Sequence, residues 1–463
     1  MVKTANNNSA TAGKQGDLIT LDITDLSHTG DGIGKLDGKV VFVPNTVTGD
    51  RALVRLIKVK KQYAYGKVKE LLIASPYRIR PHCIVADKCG GCQWQHIKPE
   101  YQILAKQIQV RETLRRIGGF AEVPVAETLA TSHTLNYRNK STYPLRLSAN
   151  QQVQAGYYVQ GTHQLINLNQ CPVQDARLNP LLAQIKQDIN ARNWSIYQEK
   201  SHTGKLRHLS LRIGIHTGEQ LLTLVSTDQH LPGLKAQAAA WLEDFPQLVG
   251  VCLNHNLAKT NVIFGNKTTL IAGKSYLREI FAGLEFRLQA DTFFQINTSA
   301  AELLLKEIIN RLEIQGNEFL LDAYCGIGTF TLPLSKLVKQ ALGIEVHQKS
   351  VEQAKINAQI NQIENVSFIS GKVEQIIGKL TSKPDIVILD PPRQGCDSKV
   401  MQALAQLQPD KIVYVSCKPA TLARDLKSLC SLAEYELDFV QPIDFFPQTP
   451  HVETAAFLSL KYK

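Results

Sequence analysis

From Asp291 onward, unbroken apolar runs take turns with stretches whose apolar residues recur every three or four positions: EFLLDAYC, TLPLSKLVKQ, ALGIEVH, SVEQAKINAQIN, VSFISG, DIVILDPP, VMQALAQL and KIVYVSC. A strand buried on both faces reads as a continuous apolar run, and a helix laid on a sheet reads as a stripe. The alternation therefore predicts an α/β, Rossmann-like domain with a doubly wound, mostly parallel sheet over residues 290–463. Residues 17–74 have a different rhythm. Short β-type runs (LITLDI, KVVFVP, ALVRLIKVKK, YAYGKVKELL) are separated by turns such as HTGDGIGKLDG, which predicts a small OB-like β-barrel. Between the two, residues 75–289 alternate β-type segments (HLSLRIGIH, QLLTLVST, LVGVCLNHN, NVIFG) with weakly helical ones, giving a central α+β domain. Its clearest helix spans about 98–119: Ile103, Val110, Leu114 and Ile117 share one face, and Gly118 and Gly119 end it.

The first sixteen residues are polar and contain no apolar core, so they read as a disordered tail rather than a secretory signal. No apolar run reaches the roughly 18 residues of a membrane span, and a cytoplasmic chain acting as a monomer is the expectation. Lys and Arg number 52 against 41 Asp and Glu, a formal charge of +11. Such a surface holds a polyanion by counterion release, which makes nucleic acid the natural partner and an RNA-indifferent basic enzyme the plainer alternative. In the predicted barrel, Lys58, Lys60, Lys61, Lys67 and Lys69 are interleaved with Tyr63 and Tyr65. That mixture suits phosphates and unstacked bases. It is also what a solvated face looks like when tyrosines pack under lysine stems.

Candidate chemistry sits at strand ends. Asp322–Phe330 reads DAYCGIGTF, in which Gly326 and Gly328 allow a tight turn and close backbone approach to a ligand. Some twenty residues later GIEVH ends the next strand on Glu345, suited to ribose hydroxyls, and a later strand ends on Asp390-Pro391-Pro392. These features together suggest an adenosine-containing cofactor. The third glycine of a dinucleotide fingerprint is missing, because Gly328 is followed by Thr329-Phe330-Thr331-Leu332. S-adenosylmethionine has no pyrophosphate to cradle and fits better. The strand KIVYVS ends in Cys417, where a helix begins, a setting that favours a thiolate. Cys252, Cys325, Cys396 and Cys430 read as packing residues.

The segments ADTFFQIN (290–297), DAYCGIGTF, ILDPPRQG (388–395), VSCKPATLARD (415–425) and FPQTPHVE (446–453) occur in the order found in the RNA uracil-5 methyltransferase family, which the chain resembles over its C-terminal third. The resemblance implies that Cys417 is a nucleophile toward uracil and Glu453 a general base. It also implies that Gln295, Tyr324, Glu345 and Asp390 line the S-adenosylmethionine site. From the residues alone, His451 competes equally with Glu453 as the base. Lys418 departs from the pattern, since asparagine commonly follows the nucleophile, and the departure bears on a local interaction rather than on the nucleophile.

Cys83, Cys89 and Cys92 form C-x5-C-x2-C beside Gly90 and Gly91, and Cys171 is a distant fourth thiol. Zinc and a [4Fe-4S] cluster both accept four thiolates, and the spacing does not separate them from each other. The branch that the chain resembles carries a TRAM barrel and an iron–sulfur cluster. The resemblance therefore implies [4Fe-4S] rather than zinc, and 23S ribosomal RNA rather than transfer RNA. The radical methylthiotransferases also join a TRAM barrel to iron–sulfur ligation but need a C-x3-C-x2-C triad, which this sequence lacks. A non-catalytic RNA-binding protein would not need Cys417 and Glu453 together.

Overall fold

The computed structural model describes residues 13–461. These form two compact units, one running to Ala105 and including Phe446–Pro450, the other comprising Lys106–Phe445 and the residues from His451 on.

The first unit holds β1 (Leu18–Asp22), β2 (Asp25–Leu26), β3 (Gly32–Leu36), β4 (Lys39–Val43), β5 (Arg51–Val59) and β6 (Tyr63–Ile73), in the order β1-β5-β6-β4-β3-β2. Strict alternation in RALVRLIKV buries Ala52, Val54 and Leu56 while Arg51 and Arg55 face out. The buried set joins Leu21, Ile23, Val41, Val43 and Ala64 in one core, as expected of a barrel. Gly66 is required where β6 crosses this core, because a Cβ there would lie 2.2 Å from Val54 Cγ1. Lys58 stands opposite Tyr65 across the β5–β6 ladder, and Tyr63, Tyr65 and Phe42 form an aromatic trio with ring centroids 5.5–6.1 Å apart. Most of the expected tail, residues 1–12, lies outside the described residues; Gly16, at its end, already donates its N–H to the Leu56 carbonyl at 2.8 Å. The cysteine loop belongs to this unit and not to the central domain where the sequence put it. Its anchor is Trp94, fully buried with Val47 and Ile97, its indole N–H donating to the Gly30 carbonyl at 3.1 Å.

Helix α1 (Pro99–Thr113) runs into a π turn at Leu114–Gly118, closed by Gly119 at φ +80°. The widened turn changes the angular step between residues. Val110 and Leu114 are buried as predicted, but Ile117 is 44% exposed. The central region is a seven-stranded sheet made of β7 (Lys140–Leu147), β8 (Val153–Tyr158), β9 (Leu165–Asn167), β10 (Leu206–Ile213), β11 (Gln220–Ser226), β12 (Leu248–His255) and β13 (Lys267–Gly273). Its order is β13-β12-β11-β10-β7-β8-β9, with only β11 and β12 parallel. Helix α2 (Asn179–Ala191) packs on β8 and α3 (Leu234–Asp244) on β12 and β13. The hairpin β14 (Tyr276–Phe281) and β15 (Leu284–Gln289) leads to α4 (Thr298–Leu312), whose first turn is capped by Asn297 Oδ1 accepting from Ala300 N–H at 3.2 Å.

The last region follows the predicted alternation: β16 (Phe319–Asp322), α5 (Thr331–Ser335), β17 (Gln340–Glu345), α6 (Gln348–Ile360), β18 (Val366–Ser370), α7 (Val373–Ile376), β19 (Ile386–Leu389), α8 (Ser398–Leu407), β20 (Lys411–Ser416), α9 (Pro419–Leu432), β21 (Tyr435–Ile443) and β22 (Glu453–Leu460). The sheet order is β18-β17-β16-β19-β20-β22-β21. The first five strands are parallel and the last two antiparallel. Lys106 of α1 is wholly buried, and its Nζ donates to Asp444 Oδ1, just beyond β21, at 2.5 Å. Removing one partner of a buried ion pair strands the other charge. Lys106→Met should therefore cost about 3–5 kcal/mol in denaturant unfolding, and Lys106→Met with Asp444→Leu should recover much of the loss. A single variant as stable as the parent would show that the pair contributes nothing.

Candidate active site

Two clusters of chemistry lie at the carboxyl edge of the parallel strands, where open α/β sheets bind ligands. In the first, the turn after β16 places Gly326 at φ +56° and Gly328 at +85°, a backbone that side-chain-bearing residues rarely adopt. Gly326 N–H donates to Glu345 Oε2 at 3.2 Å, and His347 N–H to Glu345 Oε1 at 2.8 Å, so β17 presents this carboxylate beside the glycine turn. Asp322 is buried and accepts from the Thr331 hydroxyl at 2.6 Å, yet burial still pushes its pKa up to about 6. Asp390, after β19, is pushed up to about 7 by burial and by the Asp322 charge. Gln295 Nε2 donates to Asp390 Oδ2 at 3.3 Å. Tyr324 spends its hydroxyl differently from a ligand-facing group, donating toward Cys396 Sγ at 3.6 Å.

In the second cluster, Cys417 lies between β20 and α9, half-buried. Ser416 pairs with Thr454 in the β20–β22 ladder, so the next position on each strand brings Cys417 toward buried Glu453. The expected thiolate-favouring setting is outweighed. Burial, then the Glu453 charge, then Asp390 hold the thiol above its ordinary value, while Arg393 pulls it down by charge and hydrogen bonding. Burial and Asp390 raise Glu453 well above the carboxylate range, again opposed by Arg393. His451 keeps solvent access, yet partial burial of its ring, then Arg393 and Lys106, lower its pKa. Arg393 thus faces all three groups. Its place inside ILDPPRQG gave no sign of that role.

Asp425, in VSCKPATLARD, likewise carries a task that its sequence position did not reveal. It accepts from Tyr414 OH at 2.6 Å and from Cys396 N–H at 2.9 Å, tying the segment after Pro392 to α9. Gly395 is required beside it, at φ +83°, since a Cβ would lie 2.4 Å from Asp425 Oδ2. Lys418 is the N-cap of α9 and its side chain makes no capping bond. An asparagine at this position would supply a helix cap, and the lysine does not. Asn139, which sequence reasoning missed, donates to the Gln295 carbonyl at 2.7 Å and to Thr298 Oγ1 at 3.0 Å. An isolated asparagine before a β-type run carries no signal that would have marked it.

Among the described residues no three His, Cys, Asp or Glu side chains are gathered to hold a metal ion. Hydrogen-bonded turns shape the loop that carries Cys83, Cys89 and Cys92, with Ala86 N–H donating to the Cys83 carbonyl at 3.2 Å and Cys89 N–H to the Val85 carbonyl at 2.8 Å. Cys171 belongs to the second unit, buried within reach of Arg138, Tyr143 and Tyr157. No helix among the described residues is long and apolar enough to cross a membrane.

A glycine turn and strand-end acid without a pyrophosphate cradle, on a sheet that also carries an opposed thiol and carboxyl, define an S-adenosylmethionine-dependent methyltransferase. The profile of the tRNA (uracil-5-)-methyltransferases matches residues 102–461 and that of the TRAM domain residues 13–69. The chain belongs to this RNA uracil-5 methyltransferase family. An uncharacterized RNA methyltransferase of Nostoc sp. is 61% identical, covering 96% of this chain and 97% of its own. One of Synechocystis sp. is 54% identical, covering 98% and 99%. The crystal structure of the Pyrococcus abyssi tRNA (uracil-54, C5)-methyltransferase in complex with S-adenosyl-L-homocysteine matches with a TM-score of 0.75 at 27% identity, covering 95% of this chain and all of that one.

The raised carboxyls make stability depend on pH. Asp322 and Asp390 stay protonated in the fold where the unfolded chain has ionised them, so their contribution is complete below the ordinary carboxylate range and is lost as pH rises through about 6 and 7. The ligand-free Asp390→Asn variant should lose less stability between pH 5 and 8, ending about 1 kcal/mol above the parent at the alkaline end after allowance for solvent screening. Parallel urea-midpoint curves for the two proteins would contradict the shift.

Proposed function

We propose that this enzyme methylates uridine C5 in structured RNA through a covalent bond between Cys417 Sγ and pyrimidine C6, with Glu453 taking the C5 proton. The observation that carries this reading is the β20–β22 register, which brings a thiol and a buried carboxyl toward one another at the edge of the sheet. Uracil C5 is a weak nucleophile. Addition of the Cys417 thiolate to C6 pushes electron density onto C5 and the C4 oxygen, giving an enolate. S-adenosylmethionine supplies the methyl group when bound. Glu453 then removes the C5 proton, the C5–C6 double bond re-forms, and the C6–Sγ bond breaks to release Cys417. Arg393, facing both groups, favours the thiolate and the carboxylate, the forms that the first and last steps use. Glu453 suits the base role better than His451 because its charge is felt at Cys417.

For the cofactor, Glu345 fits the ribose hydroxyls, and Gln295, Asp390 and the Tyr324 segment fit the remaining wall. The acids of this wall suit the sulfonium charge. The ribosomal-RNA reading rests on barrel and cysteine motif together. The Pyrococcus structure, that of a transfer-RNA enzyme, covers 95% of this chain, too much to leave out the barrel. The barrel therefore does not separate the two substrates; 23S ribosomal RNA now rests on the cysteine motif alone, and transfer RNA is the second reading. Cys83, Cys89, Cys92 and Cys171 are proposed to ligate [4Fe-4S] on the strength of their spacing and the resemblance.

Cys417→Ala should abolish methyl transfer and the denaturation-resistant adduct with 5-fluorouridine RNA; turnover by this variant would end the assignment. Glu453→Gln should accumulate protein–RNA adduct on ordinary RNA, and rapid normal release would instead point to His451. Mapping 5-methyluridine by mass spectrometry in ribosomal and transfer RNA from a deletion strain assigns the substrate. Protein purified anaerobically with iron should be brown and carry about four irons; a colourless, zinc-containing preparation would replace the cluster with zinc.

A further inference from the structure

The loop Leu257–Phe264, between β12 and β13, is held far more firmly than a solvent-facing connection needs. Arg207, buried, donates through Nη1 to the Asn256 and Ala258 carbonyls at 3.1 and 2.7 Å and through Nη2 to the Thr260 carbonyl at 3.2 Å. Asn256, also buried, donates to the Val262 and Ile263 carbonyls at 2.7 and 2.8 Å and accepts from Ala258 N–H at 2.9 Å. Gly265 closes the loop where a Cβ would lie 1.9 Å from the His255 carbonyl oxygen. Exposed carbonyls can be satisfied by water, so this investment of buried side chains fixes a shape. What the fixed shape presents is apolar: Leu257 is 66% exposed and Val262 62%, with exposed Lys259 between them.

The loop is also tied to the segment that carries Gln295. Lys140 Nζ donates to the Ala290 carbonyl at 3.2 Å and lies 4.8 Å from the centre of the Phe264 ring. Thr268 Oγ1 donates to Asp291 Oδ2 at 3.1 Å, and Lys349 Nζ bridges the Asn266 carbonyl and Asp291 Oδ2 at 2.8 and 3.1 Å. Chemistry on uridine C5 and C6 requires the base to leave its stack, and the gap so created is filled in other nucleic-acid-binding proteins by a rigid apolar wedge. We propose that the Leu257–Phe264 loop is such a wedge: Leu257 and Val262 pack against the RNA bases flanking the target uridine while Lys259 contacts the backbone phosphates. RNA is the occupant because the apolar tips flank a cation on a basic chain and are fastened to the reaction segment. The inference rests on the uridine-methylation reading for the position of the wedge.

The test compares the full-length parent with Leu257→Ser/Val262→Ser on two RNAs that share the sequence flanking the methylated uridine, a folded hairpin transcript and a strand whose pairing half is replaced so that it stays single-stranded. Both residues are exposed, so the fold should survive, and S-adenosyl-L-homocysteine affinity should be unchanged. On the hairpin kcat/KM should fall about tenfold or more; on the single strand, already unstacked, it should stay within about twofold. Leu257→Met/Val262→Leu should restore the hairpin rate. Equal rates on the hairpin, or equal losses on both RNAs, would overturn the wedge. If the parent methylates neither RNA, the uridine reading fails on its own, and hairpin affinity by fluorescence anisotropy judges the loop: unchanged affinity in the double variant overturns it.

Discussion

The antiparallel pairing of β22 with β20 is the constraint on which the site depends. Parallel strands all deliver their chemistry at the same edge of the sheet, so Asp322, Glu345, Asp390 and Cys417 arrive there by topology alone. A strand running the opposite way delivers its first residue to that edge. Glu453 is that first residue, one register step from Thr454, which faces Ser416. A slip of one residue would turn every side chain of β22 to the other face. The slip is resisted because Thr454–Leu458 are buried on both sides of the strand, flanked by β20 and β21. The catalytic geometry is thus enforced by apolar packing well below it.

That geometry concentrates acids at one edge of the sheet. Asp322, Asp390 and Glu453 are each held toward the neutral form by burial and by neighbouring carboxylates, and the Cys417 thiol is held up by burial and by two of the same acids. Arg393 is the cation that opposes them at Cys417 and Glu453. It follows two prolines and lies two residues before Gly395, whose close approach to Asp425 fixes the local backbone, so its position is set by the chain path rather than by side-chain chance. In the proposed mechanism the thiol and the carboxyl act in ionised form at different stages, and a shared guanidinium lowers both pKa values.

Much of this was legible because the doubly wound sheet announces itself: strands such as IVIL and the IVYV of β20 are unbroken apolar runs, and the glycine turn and Glu345 fall at their expected ends. Other parts were not. The strands of β21 and β22 resemble those of a parallel sheet in composition, and nothing in DFFPQTPHVE states that the chain reverses direction. The stretch TLPLSKLVKQ reads as one helix, but α5 ends at Ser335, and Lys339 and Gln340 already bond to Glu318 as β17 begins. Ile117 fell out of register through the π turn, a feature without a local sequence signal. The cysteine spacing suggested ligands, but spacing alone does not say how four thiols distant in sequence are oriented toward one another.

The central sheet is more than a spacer, because it supplies the fastening of the Gln295 segment. Residues 290–297 form an irregular connection outside the strand ladders, and each buried carbonyl there needs a donor if the segment is to stay in place. Arg212, buried in β10, donates to the Gln289 and Thr292 carbonyls, both at 2.7 Å, Lys140 to Ala290, and Asn139 to Gln295. Burial of these cations is unfavourable, pushing Arg212 down to about 10 and Lys140 well below its ordinary value, with Asp291 as the opposing charge. Apolar residues could fill the same space without that cost but would leave the carbonyls unsatisfied. The choice of buried cations over packing is what a segment held in one conformation requires, and it makes the central region part of the active site's construction.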